Sequence, residues 1–250
     1  MKKIMILIGD WPDNFVKNVR FFEALEKEFG CTFLKKSEFV FTTVISKVSL
    51  TFQFCFGPLE DSVWVQRKEL RKAEGRNLPP SIEELSRKKI SCDELYYLGF
   101  CGVLNGRVNS FYLPSSAKEI LFKKYLLGRT TSYSIKKKID FTNILLGKIN
   151  GKPCSLITSN QVLSLKYVED NSEVLLATIA KLLRKEADVV EMENYEVVRR
   201  FGDKFPLGVL LYGGDSPLRK EHMIGSTSMK SMDFFVFVKG CLDFIHEIVR

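Results

Sequence analysis

A chain of 250 residues that is 45% apolar can bury one large core and is too apolar to stay disordered. Its net charge of +8 comes from 38 basic residues spread along the chain, which attracts phosphates and nucleotides in general without marking a nucleic-acid groove. Six cysteines that stand singly and two histidines suggest neither a zinc site nor a disulfide framework, and the chain reads as reduced and cytoplasmic.

The segment from Lys3 to Ile8 is a short apolar run closed by Gly9. It is too short for a membrane helix, ends in acidic residues without a cleavage site, and reads as a first strand. The helix-like FVKNVRFFEALEKEFG follows and stops at Gly30. FVFTTVI and VSLTFQFCFG are rich in β-branched and aromatic residues and read as strands, the second ending at Gly57-Pro58. Residues 60–76 are polar with helical spacing. After Pro79-Pro80, Ser81 with Glu84 three positions on is a capping-box helix start.

DELYYLGFCG is a predicted strand, and VNSFYLP is another that closes at Pro114. The polar stretch from Ser115 to Lys138 takes no clear assignment, and its run Lys136, Lys137, Lys138 reads as a solvated edge. LLGKINGKPCSLITSN predicts a hairpin turning at Asn150-Gly151. EVLLATIAKLLRKEA has helical spacing, DVVEM ends a strand, NYEVVRRFG is a helix, FPLGVLLYGGD a buried strand, and MDFFVFVKGCLDFIHEIV a closing helix.

Strands and helices alternate from end to end. The pattern predicts an α/β protein with one domain over residues 1–250, a three-layer α-β-α sandwich around a central mixed, mainly parallel sheet. In such sheets the ligand site lies beyond the carboxyl ends of the strands. Four strand ends carry distinctive residues: Gly9 with Asp10 and Asp13, the turn from Gly99 to Gly102, Glu191 to Glu193, and Tyr212 to Lys220.

Three of these segments resemble the nucleoside phosphorylase and nucleosidase superfamily. Its members carry V-E-M-E, a helix, a strand and then S-D; here VVEMENYEVVRRFGDKFPLGVLLYGGD ends in Gly214-Asp215. LGFCGVLNG is similar to the family's G-[ST]-[CA]-G turn, and ITSNQVL takes the place of its base-wall segment. The resemblance implies a phosphorylase/hydrolase-like fold and cleavage of the N-glycosidic bond of a purine-type nucleoside, with no cofactor or metal. It implies that Glu193 accepts hydrogen bonds from the ribose hydroxyls, which favour an ionised acceptor. Met192 would lie against sugar and base, where a thioether adapts to an irregular surface. Glu191, Gly102, Leu163 and Arg219 would complete the substrate pocket, and Gly9 and Phe100 the phosphate or acceptor region. Asp215 would protonate or hydrogen-bond the leaving purine. A plain alternative for Asp215 is a helix N-cap ahead of Pro217, and Met192 by itself fits ordinary core packing.

The departures bear on the acceptor. Asp13, Tyr97 and Phe100 stand where phosphorolytic members hold two arginines and a hydroxyl, and none of the three attracts phosphate. The implied acceptor is therefore water, with Asp13 as its activating base and Asp10 as a less suited substitute; GDWPDN also fits a simple acidic turn. Asn194 and Tyr195 replace small residues, and Gln161 and Leu163 replace the acid and aromatic of the base wall. Two alternatives stay open: a purine nucleoside phosphorylase with a rebuilt phosphate site, and an inactive nucleoside- or nucleotide-binding protein. The expected partners are a small nucleoside, with phosphate left open, and further copies of the chain as a dimer, trimer or hexamer.

Overall fold

In the computed structural model the described residues are 1–9, 20–56, 77–123, 132–159, 181–215 and 233–250. Eleven strands among them form one mixed sheet: β1 (Lys2–Gly9), β2 (Leu34–Ser37), β3 (Val40–Ile45), β4 (Val48–Phe54), β5 (Glu94–Val103), β6 (Phe111–Lys123), β7 (Ser132–Ile135), β8 (Ile139–Asp140), β9 (Lys152–Ser159), β10 (Val189–Glu191) and β11 (Leu207–Asp215). The helices are α1 (Phe21–Phe29), α2 (Ile82–Arg87), α3 (Asn194–Phe201) and α4 (Phe234–Ile248), with a further helical segment over residues 181–186.

Local chemistry sets the helix ends. Ser81 and Glu84 form the capping box read from the sequence, the Ser81 side chain accepting from the Glu84 amide while the Glu84 carboxylate accepts from that of Ser81. Asp233 caps α4 by accepting from the Val236 amide, and Gly30 closes α1 at φ 58°, where a side chain is strained.

The sheet runs β10-β9-β6-β11-β5-β1-β4-β3-β2, and β10 also pairs with β5. The longest ladders, β11 with β5, β6 with β9 and β1 with β4, are parallel; the β2–β3–β4 meander is antiparallel. Because β10 meets both β9 and β5, the strands β5, β11, β6, β9 and β10 close into a five-stranded ring. The sheet as a whole is thus not the open layer that a three-layer sandwich requires. The cause lies in lengths: β1 stops at Gly9 opposite Gly99, and the unpaired edge of β5 beyond it is taken by β10 at Gly102 and Val103.

Alternation along the central strands splits the core. Ile4, Ile6 and Ile8 of β1 and Tyr96 and Leu98 of β5 pack with α1 and α4. Leu7, Leu95 and Tyr97 join the opposite cluster with α2 and α3. Helix α4 presents Phe237, Cys241, Phe244, Ile245 and Ile248, all buried, at helical spacing.

Two expectations change. Strand β6 does not close at Pro114 but continues to Lys123, because the proline falls where the register with β9 shifts between Pro114 and Ser116 and no ladder donor is needed there. Residues around Asn150 form no hairpin: β9 pairs in parallel with β6 and β10. Upstream, the buried Asn143 amide is tied to the carbonyls of Pro114 and Val209, at 2.9 and 2.8 Å, which holds that segment across the strand ends as turns. The predicted helix over residues 60–76 lies outside the described residues.

Candidate active site

The site forms where the edge of β5 passes from one partner to another. Parallel pairing brings Gly9, the last residue of β1, opposite Gly99. Antiparallel pairing brings Val190 of β10 opposite Gly102, so the chain leaving β10 runs back toward Gly99. A register shift between Gly213 and Asp215 sets Asp215, the end of β11, opposite the same Gly102. Three of the four strand ends singled out in the sequence therefore converge on Gly102 and Gly99. Such a change of neighbours at carboxyl strand ends is where open α/β sheets bind ligands.

Glu191 anchors the turn after β10. Its buried carboxylate accepts from the Thr158 hydroxyl of β9 and from the amide of Glu193. The Asn194 amide donates to both of its oxygens at 2.9 Å, and Thr158 itself accepts from the Tyr195 amide at 2.9 Å. These bonds satisfy the amides at the start of α3, which would otherwise lack partners. Burial pushes the Glu191 carboxyl above its ordinary range, outweighing the donors that pull it down, and the Glu193 carboxyl is a further hydrogen-bond partner. Two carboxyls in contact favour holding one proton between them.

Glu193 is half-buried. The Tyr97 hydroxyl donates to its Oε2 over 3.3 Å, long for a bond between oxygens. Burial, then the charges of Glu193 and Glu191, hold that hydroxyl well above the usual phenol range, so it stays a neutral donor. Cys55, fully buried just past β4, points its thiol at the Ile8 carbonyl over 3.6 Å. Burial and then the Glu193 charge push this thiol up as well. Among the described residues, the carboxyls acting on the Tyr97 hydroxyl are those of Glu193 and Glu191.

The remaining sequence-predicted residues distribute unevenly. Met192 is half-buried beside Glu191, and Gly102 is half-buried between Val190 and Asp215. Phe100 faces away from this cluster: one residue position of opposite parity from Tyr97 and Gly99, its ring lies 5.1 Å from that of Phe237 and 6.4 Å from that of Tyr212. The structure therefore separates Phe100 from Gly9, with which the resemblance grouped it. Asp10, Asp13, Gln161, Leu163, Arg219 and Lys220 lie outside the described residues.

Sequence reasoning missed Thr158 and Cys55 and gave Tyr97 only a negative role. Thr158 sits inside the ITSN run already placed beside the site, and Cys55 ends the strand next to β1; position at a strand's carboxyl end was the available signal. Asn194 was read only as a departure. Its side chain is completely buried, and among the described residues neither amide atom has a hydrogen-bond partner, an uncommon state for a buried polar group.

No protein-family model and no curated protein matches the chain. Solved structures do. An MTAN from Chlamydia trachomatis bound to adenine is 14% identical, covers 100% of this chain and 98% of its own, and superposes with a TM-score of 0.57. An MTAN variant from Helicobacter pylori with 5′-methylthioadenosine in the active site is also 14% identical, over 99% of this chain and 98% of its own, at a TM-score of 0.56. A futalosine hydrolase variant from the same organism gives 14% identity, 99% and 100% coverage, and 0.54. In the Campylobacter jejuni counterpart MTAN is spelled out as 5′-methylthioadenosine/S-adenosylhomocysteine nucleosidase. The chain shares the fold of these nucleosidase and hydrolase structures.

Proposed function

We propose that this chain is a divergent, hydrolytic member of the nucleoside phosphorylase and nucleosidase superfamily, a single domain that cleaves the N-glycosidic bond of a purine-type nucleoside with water as acceptor. The observation that carries the reading is the anchored turn from Glu191 to Glu193, held beside paired Gly9 and Gly99 and across Gly102 from Asp215. A carboxylate fixed in this way can accept hydrogen bonds from two ribose hydroxyls without first reorganising, so the sugar is oriented before any bond breaks.

In the proposed reaction the bond from the sugar's C1′ to the purine nitrogen breaks and its electron pair enters the base. Asp215 supplies a proton to the base at N7, and the sugar develops oxocarbenium character. The water oxygen then bonds to C1′ and gives its proton to Asp13. Met192 and Leu163 would border the base, and Arg219 would neighbour Asp215. The Glu193 carboxylate beside Tyr97 supports water, because a phosphate dianion would enter against its charge. The adenine and 5′-methylthioadenosine held by the structural relatives support a purine.

The test is base release from adenosine, inosine, uridine, 5′-methylthioadenosine and AMP, followed by chromatography with and without phosphate. Release of a purine base at the same rate in both, lost in Asp215→Asn, is the expected result. Release that requires phosphate would move the reading to a phosphorylase, and binding without release to a nucleoside-binding protein.

A further inference from the structure

Tyr97 is almost completely buried, yet its hydroxyl reaches the edge of the site. The side chain lies close against two backbones: a β-carbon added at Gly9 would come within 1.8 Å of the hydroxyl oxygen, and one added at Gly99 within 2.6 Å of the ring. Both positions must lack a side chain for the ring to lie there. These two glycines are paired with each other at the end of β1, so the ring covers the floor between Gly9 and Glu193. Cys55 adds a neutral thiol to the same wall.

We propose that Tyr97 selects the acceptor: its ring fills the space over Gly9 and Gly99, and its hydroxyl holds the Glu193 carboxylate, leaving room on that side for water and little more. The inference rests on the nucleosidase reading of this site and adds to it a residue that sets specificity and positions Glu193. A buried tyrosine suits both tasks. Its ring is rigid about two torsions, and its hydroxyl has one proton to give, which the carboxylate takes. An acceptor larger than water must displace the ring, and an anionic one meets the Glu193 carboxylate.

The experiment compares wild type, Tyr97→Phe and Tyr97→Ser, each confirmed as folded by its thermal melt. One readout is the partition of the sugar between water and added methanol, measured as methyl riboside against free ribose from adenosine. This ratio does not depend on how much active protein is present, so a merely structural defect leaves it unchanged. Methanol forms its bond to C1′ through oxygen and loses its proton as water does. Tyr97→Ser is expected to raise the methyl riboside share severalfold, whereas Tyr97→Phe, which keeps the ring, leaves it at the wild-type value.

The second readout is adenosine binding by calorimetry, which needs no turnover. Tyr97→Phe is expected to weaken it about five- to tenfold, the size of one lost hydrogen bond to a charged group at long distance. An unchanged partition in Tyr97→Ser overturns the role in acceptor choice, and unchanged adenosine affinity in Tyr97→Phe overturns the hold on Glu193. If wild type releases no base, the nucleosidase reading and acceptor selection fail together, and the binding comparison still decides the hold on Glu193. If wild type does not bind adenosine either, both parts of the inference are overturned.

Discussion

The two faces of β5 are built from the same strand and do opposite things. Tyr96, Leu98 and Phe100 point toward α1 and α4 into a core of rings and branched chains. There, Phe111, Tyr212 and Phe237 pack edge-on or stacked at centroid separations from 5.0 to 6.3 Å. Tyr97 and Gly99, on the other face, border Cys55, Glu191 and Glu193. One face gains stability by excluding water from apolar surface. The other keeps ionisable groups in a dry place, where interactions between charges are strong and a missing partner is expensive. Two-residue periodicity thus places the site residues on one side of β5, on a face whose other residues, Leu95, Cys101 and Val103, still pack into a core with α2 and α3.

The largest effect should come from the scaffold face. Phe237 is fully buried among Phe100, Phe111 and Tyr212, and Phe237→Ala should lower stability by about 3–5 kcal/mol. Urea unfolding measures it. A loss under 1 kcal/mol would mean that this face is not the close-packed one, and the contrast would collapse.

Next in size is Thr158→Val, which removes the hydroxyl shared by Glu191 and the Tyr195 amide while keeping the side chain's shape. It should lower stability by about 1.5–3 kcal/mol, because the bond is to an ionisable group. The same unfolding experiment checks it, and a neutral result would show that Glu191 does not depend on β9.

A smaller effect is set by pH. The Glu191 carboxyl titrates above its ordinary value of 4.5 because burial disfavours its charge. The folded protein therefore holds that proton at a pH where the unfolded chain has released it. The contribution is fully present below pH 4.5 and is lost as pH rises through the raised folded value. Glu191→Gln should flatten that part of the stability profile. A profile identical to wild type from pH 4 upward, in urea melts across that range, would show that the carboxyl titrates normally.

How much of this was readable beforehand depends on range. Capping at Ser81, the stop at Gly30 and the order of strands and helices follow from nearest neighbours in sequence, and they were legible. So was the convergence of Gly9, Gly102, Glu191 to Glu193 and Asp215, since carboxyl strand ends meet in any such sheet. The ring closure was not, because it turns on β10, three residues long, taking the edge that β1 leaves. Pro114 misled for a related reason: a proline looks like a stop unless the bulge that accommodates it is known. Phe100 was assigned to the acceptor side although its parity with Tyr97 already placed it on the other face.

The smallest expected effect tests the polar face most sharply. Asn194 opens α3 directly after Glu193, fully buried, with both side-chain amide atoms unpartnered among the described residues. A buried residue of its size normally supports the fold through contacts, and truncating it normally lowers stability. Here the lost contacts are offset by removal of an amide that was taken from water without compensation, a state that costs about 1–3 kcal/mol. Asn194→Ala should therefore leave stability unchanged or raise it by up to about 1 kcal/mol, and alanine also suits the helix better. A loss of 2 kcal/mol or more in urea unfolding would show that the amide is bonded after all. If stability holds while adenosine binding weakens, the amide's hydrogen-bonding capacity belongs to the ligand, which accounts for a polar group kept without a partner in a core that could have held an apolar one.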